Sequence, residues 1–584
     1  MLRFSKSRLL ALTLAGIILL AYIHWIGLLD IQYRKDDLSE EWSEADNSDW
    51  TDDTTTTSIP ETTRKPPATT HIETESEAPE TPVVPNLAED AVKRDAIVEA
   101  FKHAWSAYER DAMGDDEYHP ISRRGSNLNY QGGVGFTVVD AIDTMQIMGL
   151  MEEYKRAREW IAHNLTFERD GNFNTFETTI RVLGGLLSAY HFSDQDPLFL
   201  EKAIDLGDRI TTAFDTPSGL PLSDVNLKLR RGVKGVAPTS TAEASTLQLE
   251  LRYLSVVTKN ETYWRKAEHA MKVIRDAKMP EVVVPIFMNA DTGQFQISEI
   301  RMGSRGDSYY EYLLKQYLQT NKTEQVYLEM YEETMNAIHT TLIRKGLVNG
   351  LTYTIELLPE HRPQQRIMWK ESHKQDHLVC FLGGSLMLGA ATTGTVKGTV
   401  SIPPKREELT AVGKADWKLG LDLIETCVDT YMSTETGLSP EIVYFWDEEK
   451  EAEGKERDWY IKGNSYGRPS YDARYILRPE TVESLFIAFR LTGDVKYREY
   501  GWKIFQAIQK HCRIATGGYA SVLDVDNKNT EMIDKMETFF LSETLKYLYL
   551  LFSDSREIPL NEYVFNTEAH PLPIFNPTIK TAAF

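Results

Sequence analysis

An all-α fold, set behind an N-terminal membrane anchor and a disordered stem, is what this sequence predicts, and three observations predict it. Between about residues 87 and 555, apolar residues recur at helical spacing in one stretch after another. Breaks rich in Gly, Pro and Asp separate the stretches, such as Thr216-Pro217-Ser218-Gly219 and Ala290-Asp291-Thr292-Gly293. Strand-like alternation is confined to short pieces, for example 281–288 and 293–299.

The 584-residue chain opens with a basic head over residues 1–8, carrying Arg3, Lys6 and Arg8. An apolar run follows from Leu9 to Leu29, with His24 its single ionisable group. As a helix this run reaches about 30 Å, the thickness of a bilayer core. A cleaved signal peptide has a shorter apolar part and ends in small residues. Here Asp30-Ile31-Gln32-Tyr33 follows, so a retained transmembrane signal-anchor over 9–29 is the favoured reading. Positive charge on the short side keeps the N-terminus cytosolic and sends the remainder to the lumen, a type II single-pass topology.

Residues 30–86 form an acidic Thr/Pro-rich stem. Over 30–85, 15 Asp/Glu stand against four Lys/Arg, supplying −11 of the net charge of −23. Too few aliphatic side chains are present to offset the ordering entropy, and the composition suits O-glycosylation. With no basic stripe, nucleic acid is excluded as a partner. Three sequons, at Asn164, Asn260 and Asn321, fit a lumenal glycoprotein. The cysteines Cys380, Cys427 and Cys512 allow one bridge and one leftover thiol, without choosing the pair.

From Ala91 to Asp111, Val92, Ile97, Ala100, Phe101, Ala104 and Trp105 share one stripe. Similar stretches run over 137–163, 177–192, 197–214, 240–257, 261–277, 306–320 and 323–344. Others cover 377–391, 413–432, 478–493, 495–511 and 534–552. The pattern is about seven helix pairs in one domain over 87–575, larger than a single compact core usually grows. Helix pairs arranged as a ring around a central cavity would reconcile the two; composition does not show that closure.

Several acids interrupt apolar helical stretches. Glu177 and Arg181 are spaced i,i+4 and face the same way, which in most helices marks a solvated pair, but here the flanks are apolar. Asp307 opens a helix and is equally readable as an N-cap. Glu441 leads into an apolar run. Glu480 and Glu483 follow Arg478-Pro479, the start of a helix, where acids are routine. Glu543 lies four residues after Phe539 in a nearly all-apolar stretch, where an ionised carboxylate is costly unless paired or ligated. Together these acids point to a cavity lined by carboxylates, Arg and aromatic rings. That is an environment for carbohydrate hydrolysis, in which one carboxylic acid protonates the leaving oxygen and another activates water.

Eight ordered segments resemble the class I α-mannosidases of glycoside hydrolase family 47. They are Val139–Thr144, Phe176–Gly185, Gly306–Lys315, His377–Leu382, Thr436–Glu441, Arg478–Ser484, Met536–Phe552 and Phe565–His570. The resemblance implies an (αα)7 barrel and an inverting, Ca²⁺-dependent hydrolase of α-1,2-linked mannose on high-mannose N-glycans. By that match Glu177 is the proton donor, Glu480 the preferred base, and Asp307 and Glu441 the other catalytic acids. Thr567 is the residue that binds Ca²⁺ directly, with hard oxygen ligation suiting that ion. Arg181, Arg305, His377, Arg478, Glu483, Phe539, Glu543 and Glu568 are the substrate-binding positions. Cys380 and Cys427 are the bridged pair, leaving Cys512 free. Arg305, two residues before Asp307, leans to the endoplasmic-reticulum type, which trims one mannose from Man9GlcNAc2 in glycoprotein quality control and degradation. Residence in the endoplasmic reticulum or early Golgi membrane follows.

An EF-hand is rejected as the source of calcium binding. The run beginning Asp524-Val525-Asp526-Asn527 has Asn529 and Lys535 where that loop needs Gly and Glu. Residues 392–408 and 446–457 look like insertions. The rival functional readings are a mannose-binding degradation factor with little turnover and a Golgi-type enzyme removing several mannoses.

Overall fold

The computed structural model describes residues 87–235, 238–277, 279, 283–360, 367–463 and 469–579. The expected anchor and stem lie outside the described residues. Among those described, no helix is long and apolar enough to cross a membrane.

Fourteen helices of eight or more residues carry the described chain, and they alternate between two kinds. In chain order they are α1 (Ala91–Ala112), α2 (Phe136–Ile147), α3 (Met151–His163), α4 (Gly184–Phe192), α5 (Pro197–Ile210), α6 (Gln248–Thr258) and α7 (Glu261–Asp276). Then follow α8 (Asp307–Gln319), α9 (Gln325–Thr341), α10 (Phe381–Thr392), α11 (Ala411–Met432), α12 (Glu480–Thr492), α13 (Val495–His511) and α14 (Leu545–Phe552).

Odd-numbered helices bury one stripe. In α7 it is Tyr263, Trp264, Ala267, Glu268, Ala270, Met271 and Ile274, as expected of a helix with one wet face. Even-numbered helices are buried nearly all round: every residue from Ser308 to Gln319 of α8 and from Phe381 to Ala391 of α10. Helices of that kind need protein on all sides. The contacts supply it. Each even helix packs on the next even one, from α2 through α14, and the segment that opens α14 packs back on α2. The odd helices pack outside them.

The helical expectation holds, with corrections at the boundaries. The stretch 137–163 is two helices, broken where Gly149 adopts φ +68°. The stretch 534–552 becomes helical only at Phe540. The chain is mostly helical rather than purely so, because two- and three-stranded ribbons of two to five residues per strand link the helices. One joins Lys374–Asp376 to Ile442–Phe445 and Trp459–Tyr460, with Asp376 opposite Ile442. Another pairs Tyr563–Phe565 with Pro571–Pro573 and carries Asn566–His570 at its tip. Packing continues past residue 575, since Asn576 accepts a hydrogen bond from Asn321 at 2.8 Å and Ile579 is buried.

Cys380 and Cys427 form a disulfide joining α10 to α11, and Cys512 is free and buried. The three sequon asparagines are exposed at helix ends.

Candidate active site

The starts of the inner helices converge on one cavity of about 330 Å³. Its wall takes Glu177, Ala242 and Glu243, Asp307 and Glu311, Phe381, Glu480 and Glu483, and Phe539 and Glu543, each from the first turns of a different inner helix or the segment leading into it. Thr567 and Glu568, at the ribbon tip, complete it.

Two of these helix starts are π-helical. Thr178–Leu183 continues the short helix that ends at Glu177 and carries Arg181; Phe540–Thr544 carries Glu543. Widened turns of this sort recur at functional sites, where they re-aim side chains. Three non-glycine residues of the site segments also hold left-handed backbone: Arg305 (φ +70°), Leu477 (φ +69°) and Ala569 (φ +56°). Such backbone costs on the order of 1–3 kcal/mol per residue and persists only where the surroundings impose it.

Glu177 is half-buried, with its side chain 40% exposed. Asn174 accepts from its backbone N–H at 2.8 Å, and its carboxylate accepts from Arg181 Nε at 2.8 Å. Arg181 Nη1 also donates to Glu568 at 2.7 Å and to Thr538 Oγ1 at 2.9 Å. The guanidinia of Arg181 and Arg478 both face the Phe539 ring, at 5.9 and 5.5 Å from its centroid.

Asp307 is the first residue of α8 and not its N-cap, which is Gly306. Burial and the nearby carboxylates Glu311, Glu480 and Asp376 push its pKa up to about 7, against the pull of the Ser308 N–H. Glu480 Oε2 lies 2.7 Å from His377 Nδ1, and His377 Nε2 meets the Tyr431 hydroxyl at 2.9 Å. His377 and Glu441 stand one layer behind the wall. Glu441 is held by Arg478, whose Nε donates at 3.0 Å; burial opposes ionisation, but that guanidinium leaves its pKa below the usual range. It orients Arg478 beside Glu480.

At the closed end the charge balance is lopsided. Eight carboxylates line the cavity against the three arginines Arg181, Arg305 and Arg478. Glu311 and Glu483 share Lys315. Burial raises Glu483 to about 7 and Glu568 to about 8, although Lys315 and Arg181 oppose the shifts. Glu543 is raised well above its ordinary range by burial and by Glu568 and Glu480. No hydrogen bond to its carboxylate is made by any described residue.

The ribbon tip is set by Asn566. Its side-chain oxygen accepts from the N–H groups of Glu568 and His570, both at 2.9 Å; its amide donates to Ile180 O at 2.9 Å and Glu250 at 2.7 Å. Gly184 makes this seat possible, since a Cβ there would meet the Asn566 amide nitrogen at 2.6 Å. Behind the tip, His570 bridges Asp143 (2.8 Å) and Asp140 (3.1 Å), and Lys546 pairs with Asp143 at 3.0 Å.

The sequence profile of Glycosyl hydrolase family 47 matches residues 100–574. The chain belongs to that family. A mannosyl-oligosaccharide 1,2-alpha-mannosidase of Candida albicans is 46% identical over 492 residues, covering 82% of this chain and 83% of that protein. The endoplasmic reticulum mannosyl-oligosaccharide 1,2-alpha-mannosidase of Schizosaccharomyces pombe is 42% identical, covering 83% and 90%. Among solved structures, an alpha-1,2-mannosidase from Trichoderma reesei superposes with a TM-score of 0.72 at 28% identity, covering 83% of this chain and all of that one.

Of the residues expected at a family 47 site, the cavity brings together Glu177, Arg181, Arg305, Asp307, Arg478, Glu480, Glu483, Phe539, Glu543, Thr567 and Glu568. Sequence reasoning assigned no role to Glu243 and Glu311 on the wall, nor to Asp140, Asp143, Asn566 and His570 behind it. The signal for Asp140 and Asp143 was available, as two acids three residues apart in the apolar run Phe136–Ile147. The calcium-loop lookalike at Asp524 is the turn of the Ser521–Val522/Met532–Ile533 ribbon, and Asp526 there pairs with Arg457.

The two insertions lie at opposite ends of the inner helices. Residues 446–457 fall between α11 and α12, on the cavity side, with Trp446 stacked on Tyr460 at 4.2 Å. Residues 392–408 leave the far end of α10.

Proposed function

We propose that this chain is an inverting, calcium-dependent α-1,2-mannosidase that trims high-mannose N-glycans, with the endoplasmic-reticulum preference for one mannose of Man9GlcNAc2. The observation that carries the reading is the sugar-sized pit in which Glu177, Asp307 and Glu480 share a wall. Glu177, open to solvent and steadied by Arg181, protonates the leaving oxygen. Glu480, held by His377 and Arg478, takes the proton of the attacking water, and Asp307 supports that acid pair. Phe539 packs the sugar face, while Arg181, Arg478, Glu543 and Glu568 hold its hydroxyls. The inner helices fit the (αα)7 barrel of the family, with the ribbon tip as its plug.

The residues at the floor suit Ca²⁺. The Thr567 hydroxyl and carbonyl oxygens accept no hydrogen bond among the described residues, and surplus negative charge surrounds them. Among the described residues no group of three His, Cys, Asp or Glu is placed to hold a metal alone. Thr567 would thus hold the ion directly, with waters anchored by the acids filling its shell. When bound it supplies positive charge for the sugar hydroxyls. The lumenal domain, the N-terminal anchor over 9–29 and residence in the endoplasmic reticulum or early Golgi complete the proposal.

The test is incubation of the lumenal fragment with Man9GlcNAc2 and Ca²⁺, read by mass spectrometry and by NMR of the released sugar. Rapid loss of one hexose as β-mannose is expected. Release as α-mannose would sink the inverting mechanism, and binding without release would favour a lectin.

A further inference from the structure

We propose that Tyr431 is a positioning residue for the general base: through His377, its hydroxyl sets the direction in which Glu480 points. The inference rests on the assignment of Glu480 above.

Little else aims the carboxylate of Glu480. Among the described residues it accepts one hydrogen bond, from His377 Nδ1 at 2.7 Å. Arg478 Nη1, at 3.7 Å from Oε1, is beyond hydrogen-bond reach. An ionised base only accepts, so the proton of the His377 bond is carried on Nδ1. Whatever holds Nε2 therefore fixes the imidazole and, with it, the donor that Glu480 follows.

Two hydroxyls meet Nε2, that of Tyr431 at 2.9 Å and that of Thr481 at 3.2 Å. They are not equivalent. Thr481 follows Glu480 in the first turn of α12 and moves with it. Tyr431 belongs to the outer helix α11, so its bond ties the base to an element other than its own. Tyr431 and Thr481 are fully buried and His377 nearly so, which leaves water no place at Nε2. Burial pushes the pKa of the Tyr431 hydroxyl up, and it keeps its proton as a donor. Its ring also meets the imidazole edge-on, with centroids 5.6 Å apart. Tyr431 does not line the cavity, so it acts on the reaction only through His377.

The backbone keeps the two partners in register. His377 opens a 3₁₀ turn that ends at Cys380, and its N–H donates to Glu441 O at 2.8 Å. Residues three apart in such a turn eclipse, and residues four apart on an α-helix share a face. His377 lies three residues before Cys380, and Tyr431 four after Cys427. The disulfide and the Tyr431–His377 bond thus tie the same turn to α11, one helical turn apart.

Tyr431→Phe removes the hydroxyl and keeps the ring. On Man9GlcNAc2, kcat should fall about 3- to 10-fold, as for one lost hydrogen bond, with KM held within about twofold. The effect should vanish without the imidazole: adding Tyr431→Phe to His377→Ala should leave kcat where His377→Ala put it. A tyrosine that served packing alone would lower kcat alike in both backgrounds, and equal falls overturn the proposal. An unchanged kcat in Tyr431→Phe, or a change confined to KM, overturns it as well. Thr481→Val removes the other hydroxyl on Nε2 and is the second variant should Tyr431→Phe not fold. It is expected to lower kcat about 2- to 3-fold, and an unchanged kcat there overturns the hold on Nε2. Glu480→Gln separates the two levels of inference. If it keeps the full rate, the assignment of the base fails and the proposal falls with it. An inactive Glu480→Gln beside an unaffected Tyr431→Phe overturns the proposal alone.

Discussion

Two clusters of buried charge sit back to back in this molecule, and they behave oppositely. Behind the ribbon tip, Asp140, Asp143, Lys546 and His570 are all fully buried. Burial alone would raise both acids, yet His570, Arg181 and Lys546 outweigh it and hold them low, with Asp143 at about 2. In front of the tip, Glu483, Glu543 and Glu568 are buried and Asp307 is half-buried, and their pKa values are raised. Arg181 touches both clusters, 3.5 Å from Asp140 and 2.7 Å from Glu568. The difference is one of neutralisation. The rear cluster is balanced within the protein and serves as scaffold. The front cluster is compensated only in part, by Arg181 and Lys315, and a cation with a polyhydroxylated ligand would supply the rest.

Substitution breaks the comparison most sharply. Glu480→Gln should lower hydrolysis about 10²–10⁴-fold, with the thermal melting curve unchanged, since the front cluster does not hold the fold. A coincident drop in melting temperature would place Glu480 in the scaffold instead. Asp143→Ala should do the reverse. It strands Lys546 without its counter-charge and leaves His570 only Asp140, and urea unfolding should register a loss of about 3–5 kcal/mol.

The pH dependence of stability follows from His570. Burial pulls its pKa down, but Asp143 and Asp140 raise it further, to about 9. The unfolded chain has the ordinary value near 6.5. The charged ring therefore stabilises the fold fully below pH ~6.5, and this contribution, on the order of 3 kcal/mol, disappears as pH rises through about 9. Urea unfolding between pH 6.5 and 10 should show the decline, and in the Asp143→Ala protein it should be shallower. The smallest effect sharpens the front cluster. Ca²⁺ at a hundred times its dissociation constant should add about 2.7 kcal/mol of stability, and EDTA should remove both that increment and hydrolysis. Activity that persists in EDTA would take the metal out of the proposal.

Much of this was legible residue by residue. The acids that interrupt apolar stretches, at 177, 307, 480 and 543, are among the eight on the cavity wall, because burying a carboxylate is expensive enough to mark a site in the sequence. Glu441 carried the same mark but faces Arg478 behind the wall. Nothing in a one-dimensional pattern tells an acid that lines a pit from one that steadies an arginine. Cys380 and Cys427 could be paired only through the resemblance, and the fold brings their Cα atoms to 5.9 Å.

The sequence by itself determined the helix inventory, since a 3.6-residue apolar period admits few other structures. Tertiary structure decided which helix ends met, that two of them widened into π turns, and that a ribbon tip 387 residues from Arg181 delivered Glu568 to it. Those are contacts between distant segments, and local propensity carries no information about them. The asymmetry between the two charge clusters arises at that level, from where Lys546 and His570 come to rest.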